Sequence, residues 1–516
     1  MDKKNSAGIQ ELSNIRNIGI IAHIDAGKTT LTERFLYYSG KTHRIGDIDT
    51  GNTVMDYLDE ERRRGITIVA AAASFPWNNN LYHLIDTPGH IDFTAEVERS
   101  LRVISGAVVI FSAVEGVEAQ SEKVWRQSNK YNVAKIAFIN KMDRMGASFD
   151  RVYEEIKTKF TNIKIAPFQI PVGFESSLSG VIDLLEMKFI KFEGEDGGKT
   201  VYEKIPEDMQ ESAVEYRDEM LSVIADFSDE IADLYLEEKE IPVALLKREA
   251  RKLVIENKLC PIFTGSARRN VGVQPVMDAI GDYLPTPLDH PSYKGISVKS
   301  GEEKTININD DSFCGLVFKV VASETADLLY LRTYSGRLTV DSTVLNPRTK
   351  EKIKIRRILR LYSKKVEPVD EVGPGDIVGI TGVKNTTTGD TLCCVGNPIS
   401  LEGVTFPEPV ISMAIEPQSS KDKDKLSSSL DLLCREDPTL FLDKHENTGQ
   451  YILSGMGELH LEINFKRLEE EFNLIVRHGA PRVVYRETLK EALLITGTLT
   501  KVIGETEYHA EVDVEF

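Results

Sequence analysis

The chain has few of the features that would tie it to an oxidising compartment, a metal cluster or a membrane. Only five of its 516 residues are cysteine. Their number is odd, no CxxC spacing occurs, and Cys393 and Cys394 are adjacent. That argues against a disulfide framework or zinc site and for a reducing cytosol. No apolar run approaches the roughly 20 residues of a spanning helix, and "GAVVIFSAV" is short enough for a buried strand. The opening "MDKKNSAGIQELSN" lacks the apolar core of a signal peptide. A basic excess is missing too. The net charge of −18 lowers the expectation of nucleic-acid binding without excluding a local basic patch. Much of the acid sits in one stretch, "EDMQESAVEYRDEMLSVIADFSDEIADLYLEEKE". There are no internal repeats or low-complexity tracts.

What is present is ordinary globular composition, 41% hydrophobic and 28% charged, in a chain too long for one core. Three or more domains are expected. From Arg16 to Pro285, short β-rich runs ("RNIGIIA", "LYHLIDTP", "GAVVIFSAV", "AKIAFINK", "PIFTGSA") alternate with helical patterns. This is the signature of a mostly parallel sheet wrapped by helices. The spacing between Asp143 and Thr264 is too long for one crossover, so a helical, acidic subdomain is expected there. "YLPTPLDHPSYKG" is a Pro-rich break. Beyond it, "SFCGLVFKVVAS", "LLYLRTYSGRLT", "IKIRRILRLYS" and "GDIVGITGV" read as a small β-barrel. After "NPISLEGVTFPEPV" come strands and helical periodicities of a compact α+β domain. The expected architecture is multidomain α/β. A P-loop nucleotide domain spans 14–288, with an insert at about 158–255. A β-barrel over 289–402, an α+β ferredoxin-like domain over 403–480 and an incomplete fourth domain over 481–516 follow.

The chemistry-bearing loops follow the strands. In "AHIDAGKTT", backbone N–H groups and a helix start near Lys28 would cradle phosphates. The binding set is Ala22, His23, Ile24, Asp25, Ala26, Gly27, Lys28, Thr29 and Thr30. Lys28 would neutralise β- and γ-phosphate oxygens and the Thr29 hydroxyl would ligate Mg²⁺. Ala22 replaces the usual first glycine, which is tolerable in strand geometry. In "DTPGH", Asp86 would hold Mg²⁺, Thr87 and Pro88 carry the turn, the Gly89 N–H would meet the γ-phosphate, and His90 could orient the attacking water. In "NKMD", Asp143 can accept N1–H and the exocyclic amine of guanine, which adenine cannot offer. Asn140, Lys141 and Met142 would brace and cover the base. In "GSA", Ser266 and Ala267 can supply an N–H to the guanine carbonyl. Thr67 of "RRRGITI" is placed to close over the γ-phosphate and complete Mg²⁺ coordination, as a segment ordered by GTP. The arginines 62 to 64 read equally as a solvated turn or as an RNA contact. The order of these loops specifies a GTP/GDP site with Mg²⁺.

"RNIGIIAHIDAGKTTLTERFLYYSG", "RRRGITI", "IDTPGHIDFTAEVERSLRV", "FINKMDRMGASF", "EDPTL" and "SGMGELHLEI" closely resemble the bacterial elongation factor G family, from about Asn14 to Arg486. The resemblance implies a ribosome-dependent GTPase that couples hydrolysis to tRNA–mRNA translocation; a cytoplasmic location follows from the cysteine usage, and a monomer is the default expectation. Ribosomal RNA would position His90, and the acidic insert would touch the ribosomal stalk proteins. No arginine finger can be picked out, so slow intrinsic turnover stimulated in trans is expected. Where that family usually has a Gly-rich, basic turn, this chain reads "VIGETEYHAEVDVEF". That resembles the second-type branch, which includes a form devoted to recycling with ribosome recycling factor. The chain ends within the expected fourth domain, which would prevent translocation by the polypeptide as written. Alternatives are subunit splitting, a tetracycline-type ribosomal protection protein, and a ribosome-binding module that does not hydrolyse.

Overall fold

The computed structural model describes residues 12–46, 53, 55, 59–64, 67–88, 93–194, 196–323, 327–362, 365–383, 385–401, 407–445, 449–481 and 490–515. Seven strands make the first sheet. They are β1 (Ile15–Ala22), β2 (Ala71–Trp77), β3 (Asn80–Asp86), β4 (Gly106–Ser112), β5 (Ala134–Asn140), β6 (Lys164–Pro167) and, after four strands of the insert, β11 (Leu259–Thr264). Their order is β2-β3-β1-β4-β5-β11-β6. All are parallel except β2, which pairs antiparallel with β3. β1, β4, β5 and β11 are buried along their whole length. Strands covered by helices on both faces read as unbroken apolar runs, which is why these were visible in sequence. The carboxyl ends of β1, β3, β5 and β11 lie along one edge of the sheet, where ligands bind in open α/β sheets.

The insert is more than helices. β7 (Gln169–Val172), β8 (Gly180–Asp183), β9 (Lys188–Glu193) and β10 (Lys199–Glu203) form an antiparallel sheet before the acidic helices Gln210–Ala225 and Asp229–Leu236. β6 is the edge of the main sheet, paired with β11. The helix Val243–Ile255 packs back on that sheet through buried Leu246, Ala250 and Val254. Lys164–Pro167 and Val243–Ile255 therefore belong structurally to the nucleotide domain.

The next unit is β-rich, with Cys314–Val321, Leu328–Ser335, Arg357–Tyr362 and Ile377–Thr381 at its centre around Val317, Leu331, Ile358 and Ile380. Its strands continue the first sheet through one pairing, Tyr362 with Ala73. At the same seam Asn17 Nδ2 donates to the Gly375 carbonyl at 2.9 Å. Gly375 has φ 87°, and an added Cβ would lie 2.5 Å from Pro287 Cγ, so this approach needs glycine. Residues 411–479 fold as β-α-β-β-α-β. Strands Ile411–Pro417, Phe441–Lys444, Tyr451–Gly455 and Val476–Gly479 run in the order 2-3-1-4, with helices Lys423–Glu436 and Glu458–Glu470 on them. This is the ferredoxin-like arrangement. The last described element is an exposed hairpin, Leu494–Ile503 with Thr506–Glu515. No described helix is long and apolar enough to cross a membrane.

Between the sheet and the barrel lies a buried polar network. His83 Nδ1 is 2.8 Å from Ser74 Oγ, and Nε2 is 3.5 Å from Asp376, which Arg360 approaches at 3.3 Å. Burial pushes the His83 pKa below its ordinary 6.5, outweighing Asp376, so the ring is neutral when folded. The unfolded chain takes up that proton first as the pH falls. Stability from this group is therefore present at pH 7 and lost on acidification through about 6.5 toward the depressed folded value. Calorimetry between pH 7.5 and 5.5 should show Tm falling further for the parent chain than for His83→Gln. An equal fall in both would contradict the assignment.

Candidate functional site

Ala22 closes β1, paired with Ile110. The chain then turns through Asp25 at φ 61° and Gly27 at φ 96°, and the helix Lys28–Tyr38 begins. Its first-turn N–H groups face back along the helix axis, the arrangement that attracts anions. Thr29 is buried and Thr30 half-buried. A side chain at Gly27 would lie 2.2 Å from Asn140 Nδ2, besides being strained at that φ. Asn140 explains the crowding. Its Nδ2 donates to the Ala26 carbonyl at 2.8 Å, and its Oδ1 accepts the Ala267 N–H at 2.9 Å. One side chain thus ties the loop after β1 to the loops after β5 and β11. The outer side of the first loop is held by the helix Ala119–Lys130. Buried His23 has Nδ1 3.0 Å from Ser121 Oγ, and Gln120 Oε1 accepts the Ile24 N–H at 3.3 Å. Burial lowers the His23 pKa. Gln120 and Ser121 belong to none of the nucleotide loops read from the sequence.

Lys28 is the centre of the site. Its Nζ donates to Asp86 Oδ1 at 2.7 Å and to Thr67 Oγ1 at 2.6 Å, with Asp86 fully buried. Three segments far apart in sequence therefore meet at one ammonium. The Thr87 hydroxyl donates to the Ile20 carbonyl at 2.9 Å, tying the turn after β3 to β1, and Pro88 is buried beside it. Gly89 and His90 lie outside the described residues.

At the other end, Asp143 Oδ1 accepts the Ser266 hydroxyl at 2.6 Å, while Ser266 Oγ accepts the Arg269 N–H at 3.1 Å. Met142 is buried and its N–H donates to the Gly265 carbonyl at 3.1 Å. Lys141 has φ 65°, with Nζ 3.5 Å from Glu115. The Ala267 N–H, expected to meet a guanine carbonyl, is directed to Asn140 instead, so Ala267 enters this structure as a brace.

The segments that meet Lys28 also rest on the ferredoxin-like unit, which the sequence reading did not foresee. Ile68, Phe93 and Ile463 form a buried apolar cluster, with Leu459 and Val69 at its margin. Glu61 accepts the N–H groups of Ile68 and Val69 at 2.8 and 3.0 Å, fixing the chain just after Thr67. Arg63 pairs with Glu60 and with Glu470 of the helix Glu458–Glu470, and Lys466 lies 3.7 Å from Glu60. Of the three arginines left open between solvent and RNA, Arg63 is thus engaged within the protein. Beneath them, His460 Nδ1 accepts the Met456 N–H, so Nε2 carries the proton and donates to Asp437 at 2.9 Å. Burial would raise the Asp437 carboxyl, but His460 and Arg99 hold it well below the usual carboxylate range. From the barrel, buried Lys319 donates to the Ala70 carbonyl.

The donor set fits a magnesium nucleotide. Thr67 and Asp86, both held by the Lys28 ammonium, bring a hydroxyl and a carboxylate oxygen to the loop after β1, and such oxygens suit a hard cation. No cluster of three or more His, Cys, Asp or Glu offers a different metal site among the described residues.

Three family models match the chain: the elongation factor Tu GTP binding domain over residues 13–286, elongation factor G domain 2 over 312–395 and elongation factor G domain III over 406–480. Elongation factor G of Thermotoga maritima is 50% identical over 498 residues, covering 96% of this chain and 72% of the relative. Elongation factor G 2 of Syntrophus aciditrophicus is 46% identical over 505 residues, covering 97% and 74%. A crystal structure from Thermus thermophilus superposes with a TM-score of 0.82 at 26% identity, over 98% of this chain and 73% of that one. With the loops on one sheet edge and relatives matching at half identity, the chain belongs to the elongation factor G family, translational GTPases that bind guanine nucleotide, hydrolyse GTP and act on the ribosome in protein synthesis.

Proposed function

We propose that the Lys28 junction is the catalytic and metal-holding centre of this GTPase, and that it drives translocation of tRNA and mRNA. The observation that carries the reading is the meeting of Lys28, Thr67 and Asp86 at one point, next to a helix N-terminus and 2.6 to 2.7 Å apart. In this reading Lys28 is drawn onto the β- and γ-phosphates. Thr29, Thr67 and Asp86 are the Mg²⁺ ligands, and the bound ion would neutralise developing phosphate charge. His90 orients the attacking water. The backbone from Ala22 to Thr30 and from Asp86 to His90 lines the phosphates, while Asn140, Lys141, Met142, Asp143, Ser266 and Ala267 form the guanine side. The Asp143 carboxylate, accepting from Ser266, has lone pairs left for N1–H and the exocyclic amine.

The chain acts in the cytoplasm as a monomer, with ribosomal RNA stimulating hydrolysis and the acidic insert meeting the ribosomal stalk. The working units are 14–288, 289–402, 403–480 and 481–516. A second reading, subunit splitting with ribosome recycling factor, is supported by the acidic stretch "VIGETEYHAEVDVEF", whose strand Thr506–Glu515 is the second of the last hairpin.

Single-turnover GTP hydrolysis with and without ribosomes tests the class, and stimulation by several orders of magnitude is expected. An unchanged rate would remove the motor reading. For the step, the product of the whole gene should be assayed on ribosomes for peptidyl-tRNA movement and for subunit splitting with recycling factor; splitting without movement would favour recycling. His90→Ala should keep GTP affinity and lower stimulated hydrolysis on the order of 10²–10⁴-fold, and lost binding would oppose its role. Lys28→Met should abolish GTP binding and, by leaving buried Asp86 without its ammonium partner, destabilise the chain by roughly 3–5 kcal/mol in denaturant unfolding. Ile463→Ala should leave GTP affinity unchanged but reduce ribosome-stimulated turnover, because the cluster with Ile68 and Phe93 loosens. Equal turnover would show that the contact transmits nothing.

A further inference from the structure

A cavity of about 360 Å³ lies in the seam between the GTPase sheet and the β-barrel. Ile104 and Ser105 lead into β4, and Tyr131 and Asn132 precede β5, so it opens at the amino ends of the parallel strands. The guanine loops leave the carboxyl ends, a strand length of roughly 23 Å away for a seven-residue strand. This is a second place in the molecule.

Its lining is cationic and aromatic. Arg102, Lys294 and Arg332 contribute, with Tyr131, Tyr293 and Tyr334, and no aspartate or glutamate lines it. Arg332 is the informative residue. It is 2% exposed, and no carboxylate among the described residues pairs with it. Nη2 donates to Ser105 Oγ at 3.2 Å and to Tyr293 Oη at 3.3 Å, while Nε has no hydrogen-bond partner. The guanidinium carbon lies 4.9 Å from the Tyr334 ring centre and 5.8 Å from that of Tyr293. Ring faces and neutral hydroxyls hold the group in place, and no described carboxylate lies within ion-pair distance of it. A buried cation without a direct ion pair is costly, and a neutral side chain would fill the seam more cheaply. Two nearby carboxylates are engaged elsewhere. Glu98, one turn before Arg102, faces Lys130 at 3.8 Å and Tyr131 at 3.4 Å, and Glu303 pairs with Lys294 at the exposed rim.

The geometry points to a binding site for a phosphomonoester of mononucleotide size, its phosphate taken by Arg332 and Arg102 and its flat ring set along the tyrosines. Guanidinium groups match phosphate in planar, paired hydrogen bonds. The volume falls at the small end of the range for ligand cavities. Because the two walls come from different domains, the ligand would clamp the GTPase sheet to the barrel.

The test is calorimetric titration of adenosine 5′-monophosphate into the full chain with the guanine site saturated by GDP. One mononucleotide per chain is expected. Arg332→Met should weaken it at least tenfold without changing GDP affinity, and Arg102→Met should do the same if the first variant folds poorly. No binding at millimolar concentration, or equal affinity in both variants, would overturn the site. Inorganic phosphate binding as tightly as the mononucleotide would overturn the ring assignment.

Discussion

Everything at the nucleotide site depends on a buried ammonium that satisfies a buried carboxylate. Asp86 is fully enclosed, and taking it out of water is tolerable because Lys28 sits 2.7 Å away. The same ammonium also donates to Thr67, so the segment before β2 is gathered to the loop after β1. A triphosphate and its metal would compete for these same groups. Nucleotide chemistry and the position of the Thr67 segment are therefore coupled through one side chain.

That coupling has somewhere to go. One residue beyond Thr67, Ile68 is buried against Ile463 of the ferredoxin-like unit, and Ala70 is held by Lys319 of the barrel. The junction is a buried apolar cluster edged by ion pairs, Arg63 with Glu470 and Arg99 near Asp437. Apolar clusters give little direction, whereas the His460 to Asp437 hydrogen bond fixes an orientation. Together they give the junction one defined packing, and the Ile463 substitution asks whether that packing transmits hydrolysis.

Much of this was legible in sequence, for a physical reason. Each nucleotide loop follows a strand buried on both faces, so "NIGIIA", "LYHLID" and "AKIAFIN" announce where the loops begin. The separation of Ala26 from Asn140 hides their contact. Sequence could suggest that Asn140 braces loops, but not that it makes Gly27 obligatory or takes the Ala267 N–H. The insert's sheet does not announce itself because its strands are only four to six residues long and the last two are charged, as in "KFIKFE". The role of Ile463 was hidden because, within its helix, an apolar residue reads as that unit's own core.

In the proposed reading Asp143 recognises the purine edge while Lys28 and a magnesium ion grip the phosphates. Equilibrium titration of GTP against ATP, in magnesium buffer, separates the outcomes. GTP should bind at least about a thousandfold more tightly, because adenine offers no donors to the Asp143 lone pairs that Ser266 leaves open. Equal affinity, or a preference for ATP, would contradict it.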